Sequence, residues 1–298
     1  MQSNKHHIAV FGLLFGAAAW GVIWYPYRLM QEAGVSGVAS SFYTYSIAAL
    51  LGMVLFTRHW RRLRDLPQSA YWLALAAGWT NLTYVLAVID GEVMRVMLLF
   101  YLSPLWTLIL AHFWLKERSG WQGLVVIVIS LIGAWIMLWQ PDGLPAPRNQ
   151  AEWLALSSGI GFALTNVITR RSTHLSLRTK SMAVWFGVIA VAAVTVPFTE
   201  APFPAPDVFT LSNWLIMGLI ALLLMAATFL VQYGITQIPV TRASVIFLFE
   251  LVVAAVASWY WANEAMSMRE WLGGSLIVIA AIYAAGVEDI QHAHHPAS

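Results

Sequence analysis

The sequence predicts an all-α integral membrane protein: ten transmembrane helices arranged as two inverted five-helix repeats around a central cavity, with both termini cytoplasmic. Three observations lead there. Sixty per cent of the residues are hydrophobic and only 10% are charged, whereas a soluble domain carries about 25% charged residues. The polar surface that would cover a water-soluble globule is therefore missing. The apolar residues fall into runs long enough to cross a bilayer, which takes about 20 residues per helix. The later runs also echo the earlier ones.

The N-terminal MQSNKHH leads into the first run, at roughly 8–29, which is longer than a signal-peptide core and is read as a permanent span. The second, at about 38–57, ends in RHWRRLR (58–64), a basic loop that acts as a topology signal and can touch anionic lipid. The third and fourth lie at about 71–89 and 93–114; the fourth opens with Arg95 and is interrupted by Ser103-Pro104. A fifth, at about 121–139, precedes QPDGLPAPRNQA (140–151), a Pro/Gly-rich connection that reads as a linker between halves. The remaining spans fall at about 152–169, 181–198, 213–236, 241–261 and 271–287. The domain division is then 1–141, a linker at 142–151, and 152–298 with a short C-terminal tail.

Ten spans put both termini on one side. Twelve of the sixteen basic residues fall on that side, and Arg28, Arg95, Arg148 and Arg269 fall on the other. Positive charge collects in cytoplasmic loops, so both termini are expected in the cytoplasm.

Residues 95–117 align without gaps on 242–264, pairing Arg95 with Arg242, Phe100 with Phe247, Trp114 with Trp261 and Glu117 with Glu264. Five spans is an odd number, so the second copy is expected upside down. Inverted repeats of this kind mark secondary transporters, whose sites lie near the midplane. Ser103-Pro104 falls opposite Glu250-Leu251 in this alignment. Proline removes the N–H that would bond the Phe100 carbonyl, so a kink is expected there. Glu250 is the one ionisable residue deep inside a span, where it costs at least about 2.5–3.5 kcal/mol and must face the bundle interior.

FYLSPLW (100–106), the apolar run after it, LKER (115–118), and their repetition as FLFELVV…ANE (247–264) resemble the drug/metabolite transporter superfamily, in its EamA-type ten-helix exporter branch. The aromatic first, third and fourth spans with YLSP are similar to the YddG-like aromatic amino acid exporters. The resemblance implies a basket-shaped bundle, a cavity lined by the first four helices of each repeat, and the fifth and tenth helices packed behind it. Such families often carry Glu-Pro in the ninth span. Leu251 stands here in place of that proline.

The candidate substrate-binding residues are Trp20, Trp24, Asn81, Tyr84, Tyr101, Ser103, Pro104, Asn166, Gln232 and Glu250. Glu250 can hold a substrate ammonium or carry a coupled proton; its structural alternative is a carboxyl that only bonds a neighbouring helix. Trp20 and Trp24 share a helix face at i and i+4 and can stack on an aromatic or cationic solute, or simply pack. The mid-span amides line a cavity or tie helices together. Arg95 and Arg242 are gating candidates at opposite faces, with Asp90 and Glu92 as partners for Arg95, or else snorkelling arginines.

No catalytic set, metal or cofactor is expected. The HAHH tail reads as disordered, and neither a P-loop nor an HExxH helix is present. The expected activity is export, by alternating access, of small organic solutes, aromatic or neutral amino acids first, across the bacterial cytoplasmic (inner) membrane. A choline-like amine, a nucleoside, a drug or a channel activity are the alternatives. The expected partners are a small-molecule substrate and membrane lipid, with no nucleic acid, and the chain is expected to be a monomer.

Overall fold

The computed structural model describes residues 2–56, 66–114, 120–139, 146–198, 208–237 and 246–294, and among them there are helices and no strand. Arg242, the basic stretch 57–65 and residues 140–145, which include the first part of the linker, lie outside the described residues. The helices are α1 (Gln2–Glu32), α2 (Gly37–Leu55), α3 (Gln68–Asp90), α4 (Val93–Phe100), α5 (Ser103–Trp114) and α6 (Gly120–Leu138) in the first half of the chain. In the second half they are α7 (Gln150–Arg171), α8 (Leu177–Thr195), α9 (Leu211–Gln237), α10 (Phe249–Ala257) and α11 (Met268–His294). Several starts are written in the sequence as caps. Ser36, Asn149 and Ser176 each accept the N–H of the residue three positions on, at the heads of α2, α7 and α8.

The fourth span is not one kinked helix. It is two, separated at Tyr101-Leu102. Pro104 is the second residue of α5, inside the first turn, where the missing N–H costs no intrahelical bond. The freed Phe100 carbonyl meets Gly159 of α7, where an added Cβ would lie 2.8 Å from that oxygen. A second irregularity sits at Leu248, just before α10 begins at Phe249, with no proline present. In the repeat alignment Leu248 falls opposite Tyr101. α10 then runs into a π-helical turn, Ser258–Ala262. That turn ends on Asn263, whose φ of 53° turns the chain back; asparagine tolerates this left-handed backbone.

α3 packs between α7 and α8, and α1 packs between α9 and α10. α2 lies on α8, and α6 on α11. α4 and α5 lie on α7 as α10 lies on α1, so the main pairings map onto one another when the halves are exchanged. Glycines set the closest approaches. A Cβ on Gly187 would stand 2.0 Å from the Ala74 carbonyl oxygen, and one on Gly78 would stand 2.3 Å from the Gly187 carbonyl oxygen, so α3 and α8 meet backbone to backbone.

The outer surface is apolar. Leu50, Val54, Leu75, Leu215, Leu219 and Val252 are exposed, as are Trp72, Trp121, Trp153, Trp259 and Trp271. In water such a surface would not persist, while in lipid it is the favoured one. Among the described residues six helices are long and apolar enough to cross a membrane: His7–Glu32, Gly37–Leu55, Gln68–Asp90, Gln150–Arg171, Leu177–Phe198 and Leu211–Ile235. Shorter apolar helices lie at Val93–Thr107, Leu124–Ile136 and Phe249–Ala262. Among the described residues the fourth, fifth and ninth expected spans are represented by these shorter helices, and the chain breaks at 101–102 in the fourth and at 248 in the ninth.

Candidate functional site

One cavity occupies the middle of the bundle. Trp20, Asn81, Tyr84, Tyr101, Ser103, Asn166, Gln232 and Glu250 all line it, together with Thr80, Phe100, Phe162, Thr165, Thr228 and Phe247. Among the described residues no lining residue comes from α6 or α11, and none is basic. Gly21 lets α10 press against α1 at this level, since a Cβ there would lie 3.0 Å from the Glu250 carbonyl oxygen and 2.9 Å from Val253.

Glu250 is 5% exposed. The Tyr101 hydroxyl lies 2.9 Å from its Oε2 and 2.5 Å from the Phe247 carbonyl oxygen. The Tyr84 hydroxyl lies 3.4 Å from Oε1, 2.9 Å from Met97 Sδ and 3.3 Å from the Trp20 carbonyl oxygen. The break at Tyr101-Leu102 thus places one phenol between the two irregular segments. A single phenolic proton serves two acceptors here. With Glu250 ionised, Tyr101 and Tyr84 donate to it. With Glu250 protonated, the carboxyl donates to Tyr101, which donates to the Phe247 carbonyl. The set can take up a proton without moving a heavy atom.

Trp24 lies elsewhere, and Asn81 has a second role. Trp24 is 1% exposed and does not line the cavity. Its Nε1 donates to the Gly21 carbonyl (3.1 Å), and Arg28 sits 4.9 Å over its ring. Pro104 starts α5 beside the lining residue Ser103. Asn81 accepts from Tyr45 (2.7 Å) and donates to the Ala77 carbonyl (2.8 Å), so it also ties α2 to α3.

Arg95 does not pair with Asp90 or Glu92 as expected. It is buried against Glu152 at 2.5 Å and Glu270 at 3.6 Å. Both glutamates sit in the first turn of their helices, where Asn149 and Ser267 cap and where the helix dipole favours a carboxylate. This ties the heads of α4, α7 and α11 together.

A second latch joins the same end. Arg28 lies 3.3 Å from Glu264 and donates to the carbonyls of Val88 (3.0 Å) and Gly91 (2.6 Å). Glu264 also accepts the Val93 N–H at 2.7 Å. Burial raises the Glu264 carboxyl above its usual range, against the pull of Arg28 and of the Val93 and Met94 N–H groups. Tyr25 stacks on Trp261 with ring centroids 4.7 Å apart, between the latch and the cavity. Sequence reading had no signal for Arg28–Glu264, whose members stand 236 positions apart.

The Arg28 end of the bundle is therefore closed. On α7 and α9 the lining residues (Phe162, Thr165 and Asn166; Thr228, Val231, Gln232 and Ile235) all lie in the half of the helix away from it. At the opposite end, Lys180 donates to the Thr169 carbonyl (3.1 Å).

The model of the EamA-like transporter family matches residues 7–139 and 149–285. An S-adenosylmethionine uptake transporter of Rickettsia bellii is 27% identical over 209 residues, covering 70% of this chain and 68% of that one. Protein RarD of Salmonella typhi is 22% identical over 192 residues, 61% and 63% of the two chains. One solved crystal structure aligns over 100% of both chains with a TM-score of 0.61 at 16% identity, which shows a shared fold.

Proposed function

The chain belongs to the EamA-like transporter family, and from that membership we propose a secondary transporter that moves a small organic solute through the central cavity by alternating access. The observation that carries this reading is Glu250, a buried carboxyl with two tyrosine hydroxyls on a cavity that the Arg28 latch closes at one end. A ten-span topology in two inverted halves, both termini in the cytoplasm of a bacterial inner membrane, is part of the proposal. It is supported by the matching helix pairings, by the gap between the two matched stretches at 140–148, and by the charge asymmetry of the loops. In that orientation the cavity faces the cytoplasm and the chain works as a monomer.

The favoured substrates carry a protonated nitrogen for Glu250 and a planar ring for Trp20, Phe100 and Phe162, which aromatic amino acids supply. Export is the direction that the resemblance to aromatic amino acid exporters supports. A second reading is favoured by the described lining, which holds a carboxyl and no basic residue: a net cation such as S-adenosylmethionine, the solute named for the Rickettsia relative, would balance Glu250.

The test is flux in proteoliposomes, measured in both directions, with tryptophan, phenylalanine, S-adenosylmethionine, choline and a nucleoside, with and without a pH gradient. Saturable flux of a ring-bearing cation or amino acid is expected. No flux of any of them, or unsaturable ion conductance, overturns the proposal.

A further inference from the structure

Thr228 and Gln232 lie one turn apart on α9 and both line the cavity. They are 4% and 7% exposed, and neither Thr228 Oγ1 nor Gln232 Oε1 has a hydrogen-bond partner. Of the seven buried side-chain atoms left unpaired among the described residues, these two are the ones on cavity-lining residues. Six other helical threonines satisfy themselves: Thr44, Thr80, Thr83, Thr107, Thr165 and Thr195 all donate to the carbonyl four residues back, while Thr169, which does not line the cavity, is unpaired like Thr228. Thr228 does not use that local option.

α9 is held firmly at this level. Val231 fills the space over Gly16, where an added Cβ would come within 2.2 Å of it, and Leu13 covers Gly234 at 2.6 Å. Both oxygens are buried on residues that line the cavity, and a buried acceptor without a donor is a standing cost that a ligand reaching it removes. Gln232 Oε1 only accepts, and Thr228 Oγ1 both donates and accepts.

We propose that Thr228 and Gln232 are the specificity-determining pair, receiving an N–H donor on the ring system of the solute whose cationic nitrogen sits at Glu250. This rests on the cavity being the transport site, as proposed above. Solutes with a ring N–H or exocyclic amine are selected over isosteres in which that hydrogen is replaced by methyl, because only the first present a hydrogen to the unpaired α9 oxygens.

The test uses the full chain in detergent and calorimetric titration with two matched pairs: tryptophan against 1-methyltryptophan, and S-adenosylmethionine against its N6,N6-dimethyl analogue. In at least one pair the N–H member binds about tenfold tighter or more. Gln232→Leu and Thr228→Val bring that ratio close to one while leaving the methylated member's affinity where it was. Both variants keep the wild-type melting midpoint or raise it, because each removes an unpaired polar atom. An unchanged ratio, an equal loss for both members, or a clear fall in melting midpoint overturns the assignment alone. Failure of all four probes to bind the wild-type chain overturns it together with the proposed site.

Discussion

Gly187→Ala tests whether the α3–α8 contact positions the cavity. The new methyl would lie 2.0 Å from the Ala74 carbonyl oxygen and 2.6 Å from its carbon, both backbone atoms, so no rotamer change relieves the contact. Ordinary contact begins near 3.4 Å, so the helices must part by about 1.4 Å along that line. Overpacking of this kind costs about 3 kcal/mol, the upper part of the usual range, because two backbones must move. At roughly 2–4 °C per kcal/mol for a chain of this size, the melting midpoint in detergent falls by about 6–12 °C. α3 also carries Thr80, Asn81 and Tyr84 into the cavity. Tyr84 is already 3.4 Å from Glu250, so the same displacement breaks that contact and weakens substrate binding. Gly218→Ala is the control: nothing lies within 4 Å of its added methyl, and alanine is the better helix former, so its midpoint holds or rises slightly. A Gly187→Ala variant that melts with the wild type, or a Gly218→Ala variant that loses as much, denies this contact its positioning role.

Other variants separate the roles of the charged groups. Glu250→Gln keeps the shape and the tyrosine contacts but removes the charge; ligand affinity drops about tenfold or more, and the pH dependence of flux disappears, so a variant with unchanged flux and pH profile refutes the site. Arg95→Met leaves Glu152 and Glu270 buried without their cation and costs about 3–5 kcal/mol, read as a large fall in melting midpoint; a fully stable variant denies Arg95 its structural role. Glu264→Gln removes a partly solvated pair worth about 1 kcal/mol, so the Arg28 end opens about fivefold more often. Because the chain has no cysteine, maleimide labelling of a Val88→Cys probe reads this directly. Val88 is fully buried at that end, and an unchanged labelling rate counts against the latch.

Much of this was legible in the residue pattern because lipid leaves the chain few choices. The apolar runs mark helices, and Glu250 had to face inward because its cost in hydrocarbon is high. Pro104 marked a backbone break because its ring excludes an N–H. What it could not specify was the form of the break, which became a helix start rather than a bend once Tyr101 and Leu102 left the helix. Trp20 and Trp24 show another limit. Helical periodicity gives the direction of a side chain around the axis but not the depth at which the cavity ends, and between these two residues it ends. Arg95 was matched to its sequence neighbours Asp90 and Glu92, whereas its partners are the capping glutamates of two distant helices. Those glutamates carry an ordinary helix-start signature, and nothing local in the sequence says that the two starts converge.

The glycine face of α1 has a consequence for how the protein is made. Gly12 and Gly16 are shaped to receive Leu230 and Val231, residues that the ribosome reaches 218 and 215 positions later. α1 thus waits long for this neighbour, with a notched surface open to lipid or to any small-residue helix that arrives sooner. Synthesis order and packing order run against each other here, and such long-range closure is the slow and error-prone part of folding. Substitutions on that face would first show as low yield of intact protein, before any change in transport by the molecules that do assemble.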